Sequence, residues 1–201
     1  ESLGPPRAGL EVLLVDNASS DGSLALVREA FPWVRVLAQT ENLGFGAANN
    51  LAAATAAGES LLLLNADAWL EPRALGRLAD RLESDDRLAL VAPRLLYPGG
   101  GRQFSWSPER GVLGEALQQL RNPHEASAWV HGPAARLASR IAGPLWYTAA
   151  CVLVRAAASR NAGGRDEGFF VCSQDVAHCD RPRDAGWRLA DEPAAVARHA
   201  G

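Results

Sequence analysis

The triplet Asn65-Ala66-Asp67 places an amide and a carboxylate directly after the apolar residues 61–64. A buried strand that ends in polar residues delivers them to the edge of a sheet, where α/β proteins bind their ligands. A carboxylate held there can share Mg²⁺ or Mn²⁺ with the phosphates of a nucleotide, because these cations prefer oxygen ligands and keep positions open for substrate. The alternative is that Asp67 only caps the next helix.

Two further polar segments follow predicted strands. Residues 16–23 form a turn rich in helix-capping residues after the apolar stretch 10–15, and residues 42–46 form a glycine-containing turn. The glycines of the second turn allow a close approach of the backbone to a ligand. For Asp16 a capping or turn role is the open alternative to ligand contact.

Composition limits the classes of protein and partner. A chain of 201 residues, 48% of them apolar, fits one folded domain. The net charge of −3, without a basic stripe, argues against a nucleic-acid partner. Three cysteines without CxxC spacing favour a reducing compartment over disulfides, and a soft-metal site at Cys172, His178 and Cys179 lacks a clear fourth ligand. With no apolar run of about 20 residues and no signal peptide, we expect a cytoplasmic protein, with peripheral docking at the inner membrane face left open.

The elements that must position these residues alternate along the first half. We predict strands at 10–15, 34–37, 61–64 and 88–92. We predict helices at 24–30, after the glycine turn to about residue 58, and at 72–82 with Pro72 as the first residue. Such alternation implies a largely parallel sheet covered on both faces.

The second half is less regular. Residues 93–144 are rich in Gly, Pro, Arg and Trp, with one predicted helix near 113–120. We then predict a strand at 146–155, a helix at 174–186 that Pro182 should kink or break, and a strand at 187–190.

Three segments in order resemble the family 2 glycosyltransferases, with the closest likeness to bacterial rhamnosyltransferase-like members. They are residues 15–23 (VDNASSDGS), 41–49 (ENLGFGAAN) and 62–67 (LLLNAD), supported by 146–151 (WYTAAC) and 163–170 (GGRDEGFF). The resemblance covers nearly the whole chain. It implies the GT-A fold, a single α/β domain with a Rossmann-like, mostly parallel sheet flanked by helices. Residues 1–92 would form the nucleotide-sugar half and 93–201 the acceptor and catalytic half.

The activity implied by the resemblance is transfer of a sugar, with inversion, from a nucleotide-diphosphate sugar to an acceptor hydroxyl. A divalent metal, Mn²⁺ or Mg²⁺, would assist, and the acceptor would be a saccharide or a lipid-linked saccharide in cell-surface polysaccharide synthesis. The implied roles are nucleotide binding for Asp16, Asn17, Asn42, Gly44 and Asn65, metal binding for Asp67 and His199, the catalytic base for Asp175, and acceptor or phosphate contact for Trp146 and Arg181.

Each of the last four assignments has a structural alternative. His199 could be a surface residue near a chain end, Asp175 a solvated residue at a helix start, Arg181 a solvated side chain and Trp146 a core residue.

The sequence also departs from the family pattern. The usual acidic pair reads Gln174-Asp175, and Ala177 replaces a further acidic position. The family's first strand and helix are not matched, which should leave an unpaired strand edge inside the fold. Two other functions therefore stay open: a degenerate nucleotide-binding module without transfer activity, and a nucleotidyltransferase.

Overall fold

The structure is a computed structural model that describes residue 3 and residues 8–103, 106–107, 146–161 and 174–200. For residues 106, 107, 146 and 174–178 the description covers the backbone alone. The helix predicted near 113–120 lies outside the described residues.

The described chain alternates strands and helices in its first half. The strands are β1 (Leu13–Asp16), β2 (Arg35–Ala38), β3 (Ser60–Leu64), β4 (Ala68–Leu70), β5 (Leu88–Leu96), β6 (Trp106–Ser107), β7 (Trp146–Tyr147), β8 (Cys151–Arg155) and β9 (Arg188–His199). The helices are α1 (Ser23–Ala30), α2 (Gly44–Thr55), α3 (Ala74–Glu83), α4 (Ala156–Asn161) and α5 (Gln174–Asp184).

Five strands form the main sheet in the order β3-β8-β5-β9-β4. Strand β8 is antiparallel to both β3 and β5, β5 is parallel to β9, and β4 is antiparallel to β9. Three of the five strands, β3, β5 and β9, therefore share one direction. Strands β1 and β2 form a separate parallel pair. The predicted α/β class is confirmed, with helices that flank a mixed sheet in which most strands share one direction.

Two apolar strands that end at predicted site residues, β1 and β3, are each paired on one side only within the described residues. Among the described strands, β1 pairs only with β2, and β3 pairs only with β8. The four leucines of β3 remain only partly buried, in contrast to the fully buried stretch of β5. An apolar strand with one free edge leaves both backbone groups and side chains incompletely covered.

One of the two core clusters lies between α3 and the main sheet, and the other includes residues of α4 and α5. Ala74, Leu78 and Leu82 recur at every fourth position of α3, which places them on one face of the helix, and all three are buried. They pack with Leu88 and Val91 of β5 and with residues of β8 and β9. Helix α1, in contrast, has no buried residue, and its Leu26 is 65% exposed.

Truncating the core should destabilise the fold strongly. Leu78 is fully buried, so we expect Leu78→Ala to lower the free energy of unfolding by about 3 kcal/mol, because a cavity replaces packed side-chain atoms. Leu26→Ala on exposed α1 is the matched control and should change it by less than about 0.5 kcal/mol. Urea denaturation measures the free energy of unfolding of both variants. Equal effects of the two substitutions would contradict this placement of the core.

Two predicted boundaries were wrong. The predicted strand at 146–155 is split into β7 and β8, because the hydroxyl of Thr148 accepts a bond from the Ala150 N–H at 3.4 Å and stabilises a turn. Pro72 does not begin α3. Arg73 adopts a left-handed conformation with φ +66°, which cannot continue a helix, so α3 starts at Ala74.

Neither proline near the chain end terminates its element. Helix α5 continues through Pro182 to Asp184, so the predicted break is wrong, while the predicted kink stays untested. The last strand, predicted to end at 190, continues to His199. Pro193 is tolerated because the pairing with β5 shifts from Glu192 directly to Val196, leaving 193–195 in an irregularity.

Two described cysteines, Cys151 and Cys179, are buried and form no disulfide with each other. Burial raises the pKa of Cys151 to about 12, so its thiolate is scarce at neutral pH. The sulfur of Cys179 accepts a bond from the Tyr147 N–H at 3.3 Å. The soft-metal alternative at Cys172, His178 and Cys179 stays untested, because Cys172 and the side chain of His178 lie outside the described residues.

We expect Cys151 to resist alkylation by iodoacetamide in the folded protein and to react fully in urea. Peptide mass mapping of the alkylated chain measures this. Rapid labelling of Cys151 under native conditions would show that its strand β8 is not buried as described.

No helix among the described residues is long and apolar enough to cross a bilayer.

Candidate active site

The first group of predicted site residues meets where β4 and β9 pair. Ala68 lies opposite His199 in the antiparallel register, and the Ala200 N–H donates to the carbonyl of Asp67 at 3.0 Å. This pairing brings His199 Nε2 to 3.2 Å from Asp67 Oδ1. The His199 side chain is 17% exposed and the Asp67 side chain 48% exposed, so the pair faces solvent from the carboxylate side.

Asn65 positions the turn that carries Asp67. Its backbone N–H donates to the Ala150 carbonyl at 3.0 Å, and its own carbonyl accepts from Ala68 at 3.1 Å. The chain therefore turns from β3 directly into β4. The capping alternative for Asp67 is excluded, because β4 intervenes before α3 and the N-cap residue of α3 is Arg73.

One residue that the sequence did not indicate, Gln103, contacts this pair, and Arg198 beside His199 forms contacts of its own. His199 Nδ1 lies 3.1 Å from Gln103 Oε1 on the opposite side of the ring from Asp67. Arg198 forms an ion pair with Glu71 at 2.5 Å, and its Nη1 donates to the Pro98 carbonyl at 2.9 Å. No motif marks Gln103 or Glu71, since only the pairing of β5, β9 and β4 brings Gln103 to His199 and Glu71 to Arg198.

The donor set of Asp67 and His199 fits a divalent cation such as Mn²⁺. A carboxylate oxygen and an imidazole nitrogen 3.2 Å apart are close enough to share one ion, and both atom types are accepted ligands of this cation. Only two such side chains meet among the described residues, so phosphate oxygens and water would complete the coordination.

The second group of predicted site residues gathers where β1 ends and α2 begins. Asp16 is the last residue of β1 and is 7% exposed. The next residue, Asn17, donates through Nδ2 to the Gly44 carbonyl at 3.4 Å. The side chain of Asn42 accepts from the Gly44 N–H at 2.9 Å, and Gly44 has φ +80°, a conformation that favours glycine.

One atom in this group lacks a partner. Asn17 Oδ1 is buried and has no hydrogen-bond partner among the described residues. A buried acceptor without a donor is costly, so it fits a site that receives a hydroxyl or amine donor from a ligand. The capping alternative for Asp16 is excluded, because α1 begins seven residues later. Asp21 instead stabilises that turn, because its carboxylate accepts from the Ser23 N–H at 3.0 Å. Hydrogen bonds from the Ser23 hydroxyl and from this N–H lower the pKa of Asp21.

The third group belongs to α5 and β7. Asp175 lies in the first turn of α5, and its side chain is outside the described residues. Arg181 lies half-buried near the end of the same helix. Trp146 is described only by its backbone, which pairs with Ser107 in β6. Helix α5 packs against β7 through Cys179 and Tyr147, so the elements that carry Asp175 and Trp146 are neighbours.

The family model for glycosyl transferase family 2 matches residues 6–139 of the chain. The chain belongs to this family, as the sequence motifs indicated.

Relatives of known name agree with this assignment. The chain is 28% identical to an N-acetylglucosaminyl-diphospho-decaprenol L-rhamnosyltransferase of Mycobacterium tuberculosis, over 94% of this chain and 66% of that protein. It is 31% identical to the O-antigen biosynthesis protein RfbC of Myxococcus xanthus, over 83% of this chain and 13% of that protein. The chain thus spans only part of the length of each relative. The likeness to rhamnosyltransferase-type members is confirmed.

Solved structures share the fold. The mannosyltransferase PcManGT of Pyrobaculum calidifontis, in complex with GDP-Man and Mn²⁺, aligns with a TM-score of 0.65 at 22% identity, covering 97% of this chain and 49% of that one. S. aureus TarS aligns with a TM-score of 0.62 at 16% identity, covering 98% of this chain and 32% of that one. These likenesses establish the GT-A fold of the chain.

Proposed function

We propose that the chain carries the donor site and the catalytic base of a metal-dependent, inverting glycosyltransferase. The observation that carries the proposal is the contact of Asp67 Oδ1 with His199 Nε2 at 3.2 Å, at the end of the strand that the motifs singled out. A carboxylate and an imidazole in contact, with room for further oxygen ligands, suit a cation that also binds a diphosphate.

The donor is a nucleotide-diphosphate sugar. Asp16 and Asn17 lie beside the start of α2, and the partnerless Asn17 Oδ1 offers an acceptor to a base or ribose donor. Gly44 lets the backbone approach this ligand closely, while Asn42 holds the turn. The PcManGT structure contains GDP-Man and Mn²⁺, which supports this donor class and this cation.

The residues divide the work of transfer. The Asp175 carboxylate accepts the proton of the acceptor hydroxyl as that oxygen forms its bond to the anomeric carbon. The bond from this carbon to the diphosphate oxygen breaks at the same time, and the diphosphate leaves with the electron pair. Attack opposite to the leaving group inverts the anomeric configuration. A divalent cation held by Asp67 and His199 supplies neutralisation of the charge that develops on the diphosphate.

The acceptor is a saccharide or a lipid-linked saccharide used in cell-surface polysaccharide synthesis, with Trp146 and Arg181 on its side of the site. The rhamnosyltransferase relative is named for a diphospho-decaprenol acceptor, which supports this class. An enzyme that glycosylates a lipid-linked acceptor must reach it at the membrane surface. We therefore place this enzyme in the cytoplasm at the inner membrane face, in peripheral contact with the lipid.

A transfer assay tests the proposal. The protein is incubated with Mn²⁺, a panel of nucleotide-diphosphate sugars that includes dTDP-rhamnose, and an N-acetylglucosaminyl-diphospho-lipid acceptor. We expect one donor to yield a glycosylated lipid whose anomeric centre is inverted, as read by NMR. Transfer with retained configuration, or equal transfer after removal of metal by EDTA, would overturn the proposal.

A second candidate rests on Gln174, which replaces one carboxylate of the family's acidic pair. In this case the chain is a degenerate module that binds the nucleotide without transferring sugar. Nucleotide binding with no product from any donor, in the presence of suitable acceptors, would establish it. The family assignment argues against the nucleotidyltransferase alternative.

A further inference from the structure

We propose that Gln103 is a positioning residue that holds the His199 ring in the tautomer able to bind a metal together with Asp67. The inference rests on the proposed metal-dependent function and concerns a residue that no motif of the sequence marks. Its starting point is the distance of 3.1 Å between Gln103 Oε1 and His199 Nδ1, on the side of the ring opposite to Asp67.

The backbone holds Gln103 in a defined place. After β5 the chain reverses through a turn in which the Tyr97 N–H donates to the Gly101 carbonyl at 2.7 Å. Leu96 and Arg102 then form an antiparallel bridge, and the Gln103 N–H donates to the Leu95 carbonyl at 3.0 Å. Gln103 therefore returns along β5, the strand that pairs with β9, and its side chain reaches His199.

A second contact fixes the same turn to β9. Leu96 of β5 is paired with Arg198, the neighbour of His199. The Arg198 guanidinium donates to the carbonyls of Tyr97 and Pro98 at 3.4 and 2.9 Å, and also binds Glu71 just after β4. The turn that carries Gln103, the strand that carries His199 and the segment that follows Asp67 are thus joined by one side chain.

The contact with Gln103 decides which nitrogen of the His199 ring can bind a metal. A neutral ring has one N–H and one lone pair. When Nδ1–H donates to Gln103 Oε1, the lone pair of Nε2 faces the Asp67 carboxylate at 3.2 Å. Two electron-rich groups at this distance repel each other, and a cation that both can ligate removes the repulsion. The opposite tautomer would instead donate from Nε2 to Asp67 and would have no lone pair there for a metal.

The test compares Mn²⁺ affinity in four single-substitution variants and two double variants. The affinity is measured by the relaxation of water protons, with Mn²⁺ alone as the probe, at mildly alkaline pH. Gln103→Leu removes the acceptor and should weaken Mn²⁺ binding about 10-fold or more, in line with losses of groups that orient a ligating histidine. Gln103→Glu keeps an acceptor at the same place and should bind at least as tightly as the original protein. Circular dichroism melts should be unchanged in both.

A double-mutant cycle separates positioning from other effects. If Gln103 acts only through the ring, Gln103→Leu should cause no further loss once His199→Ala has removed the ring. An equal loss with and without the ring, or no loss from Gln103→Leu in the original protein, would overturn the inference. The added charge of Gln103→Glu is controlled in the same way, because a purely Coulombic gain would persist in the His199→Ala background.

The fourth variant, Asp67→Ala, distinguishes failure of the inference from failure of the proposed function. Loss of Mn²⁺ binding in Asp67→Ala together with unchanged binding in Gln103→Leu would overturn the role of Gln103 alone. Absence of Mn²⁺ binding in the original protein, or binding unaffected by Asp67→Ala, would overturn both.

Discussion

Replacing Asp67 by alanine is expected to lower kcat/KM for sugar transfer at least about 100-fold, which is the largest loss expected from any single change at the donor site. The carboxylate contacts His199 Nε2 at 3.2 Å and is half-exposed, so it is available to a ligand. Its removal leaves the imidazole as the single described side chain able to hold the cation. A coupled assay that follows release of the nucleoside diphosphate at saturating Mn²⁺ measures kcat/KM for both proteins.

The matched control for this change is Asp86→Ala. Asp86 is an exposed carboxylate in the turn before β5 and carries the same charge. Its loss should leave kcat/KM within about twofold, since it lies in a surface turn. Melting temperatures of both variants should match that of the original protein. Unchanged turnover in Asp67→Ala, or equal losses in both variants, would show that Asp67 does not hold the metal.

Asp175→Asn should lower kcat by roughly 10²- to 10⁴-fold and leave nucleotide affinity unchanged. An ordinary aspartate, with a pKa of about 3.9, is ionised at neutral pH and accepts a proton, while asparagine of nearly the same shape does not. The split between lost turnover and retained binding follows because the base acts on the acceptor hydroxyl and not on the nucleotide. Steady-state kinetics together with a nucleotide titration separate the two quantities.

Asp184→Asn is the control on the same helix. Asp184 is exposed at the last position of α5, so its replacement tests for a general effect of charge on the helix. We expect kcat within about twofold of the original. Full activity in Asp175→Asn would remove Asp175 from the mechanism. The base would then have to come from another residue, because Gln174 is no base and Ala177 carries no ionisable group.

The local pattern of the sequence predicted the first half of the fold well. Strands near 10–15, 34–37, 61–64 and 88–92 appear as β1, β2, β3 and β5, with boundaries shifted by a few residues. These strands are short apolar runs bounded by polar turns, and the signal for such runs is contained within the run itself. The same reasoning placed Asp16 and Asp67 at strand ends, where the structure has them.

Elements that depend on tertiary pairing were not predictable in the same way. Strand β4 is three residues long and exists because it pairs with β9. Strand β9 passes Pro193, which reads locally as a strand end, because the register with β5 shifts there and the Arg77 guanidinium binds the Ala194 carbonyl. A single sequence does not show which distant residues lie close together in the fold. Pairing between such residues can override the local preference for strand or turn.

The residues of the site show the same contrast between local sequence signals and tertiary pairing. Residue type and position after a strand predicted Asp67, and the family resemblance supplied His199. Gln103 had no such signal, since a single glutamine after a glycine turn matches no motif. Its contact with His199 depends on a turn that returns the chain along β5, and on the Arg198 side chain of β9, which donates to the Pro98 carbonyl in this turn.

Calorimetric titration of nucleoside diphosphates, among them UDP, dTDP and GDP, with and without Mn²⁺, tests whether Asp67 and His199 hold a metal that binds the donor. We expect one of the nucleotides to bind in the presence of Mn²⁺ and to bind much more weakly without the metal. We expect Asp67→Ala to abolish this metal dependence. Binding of a nucleotide with equal affinity in the absence of metal, or unchanged metal dependence in Asp67→Ala, would contradict the assignment of Asp67 and His199 as the metal site.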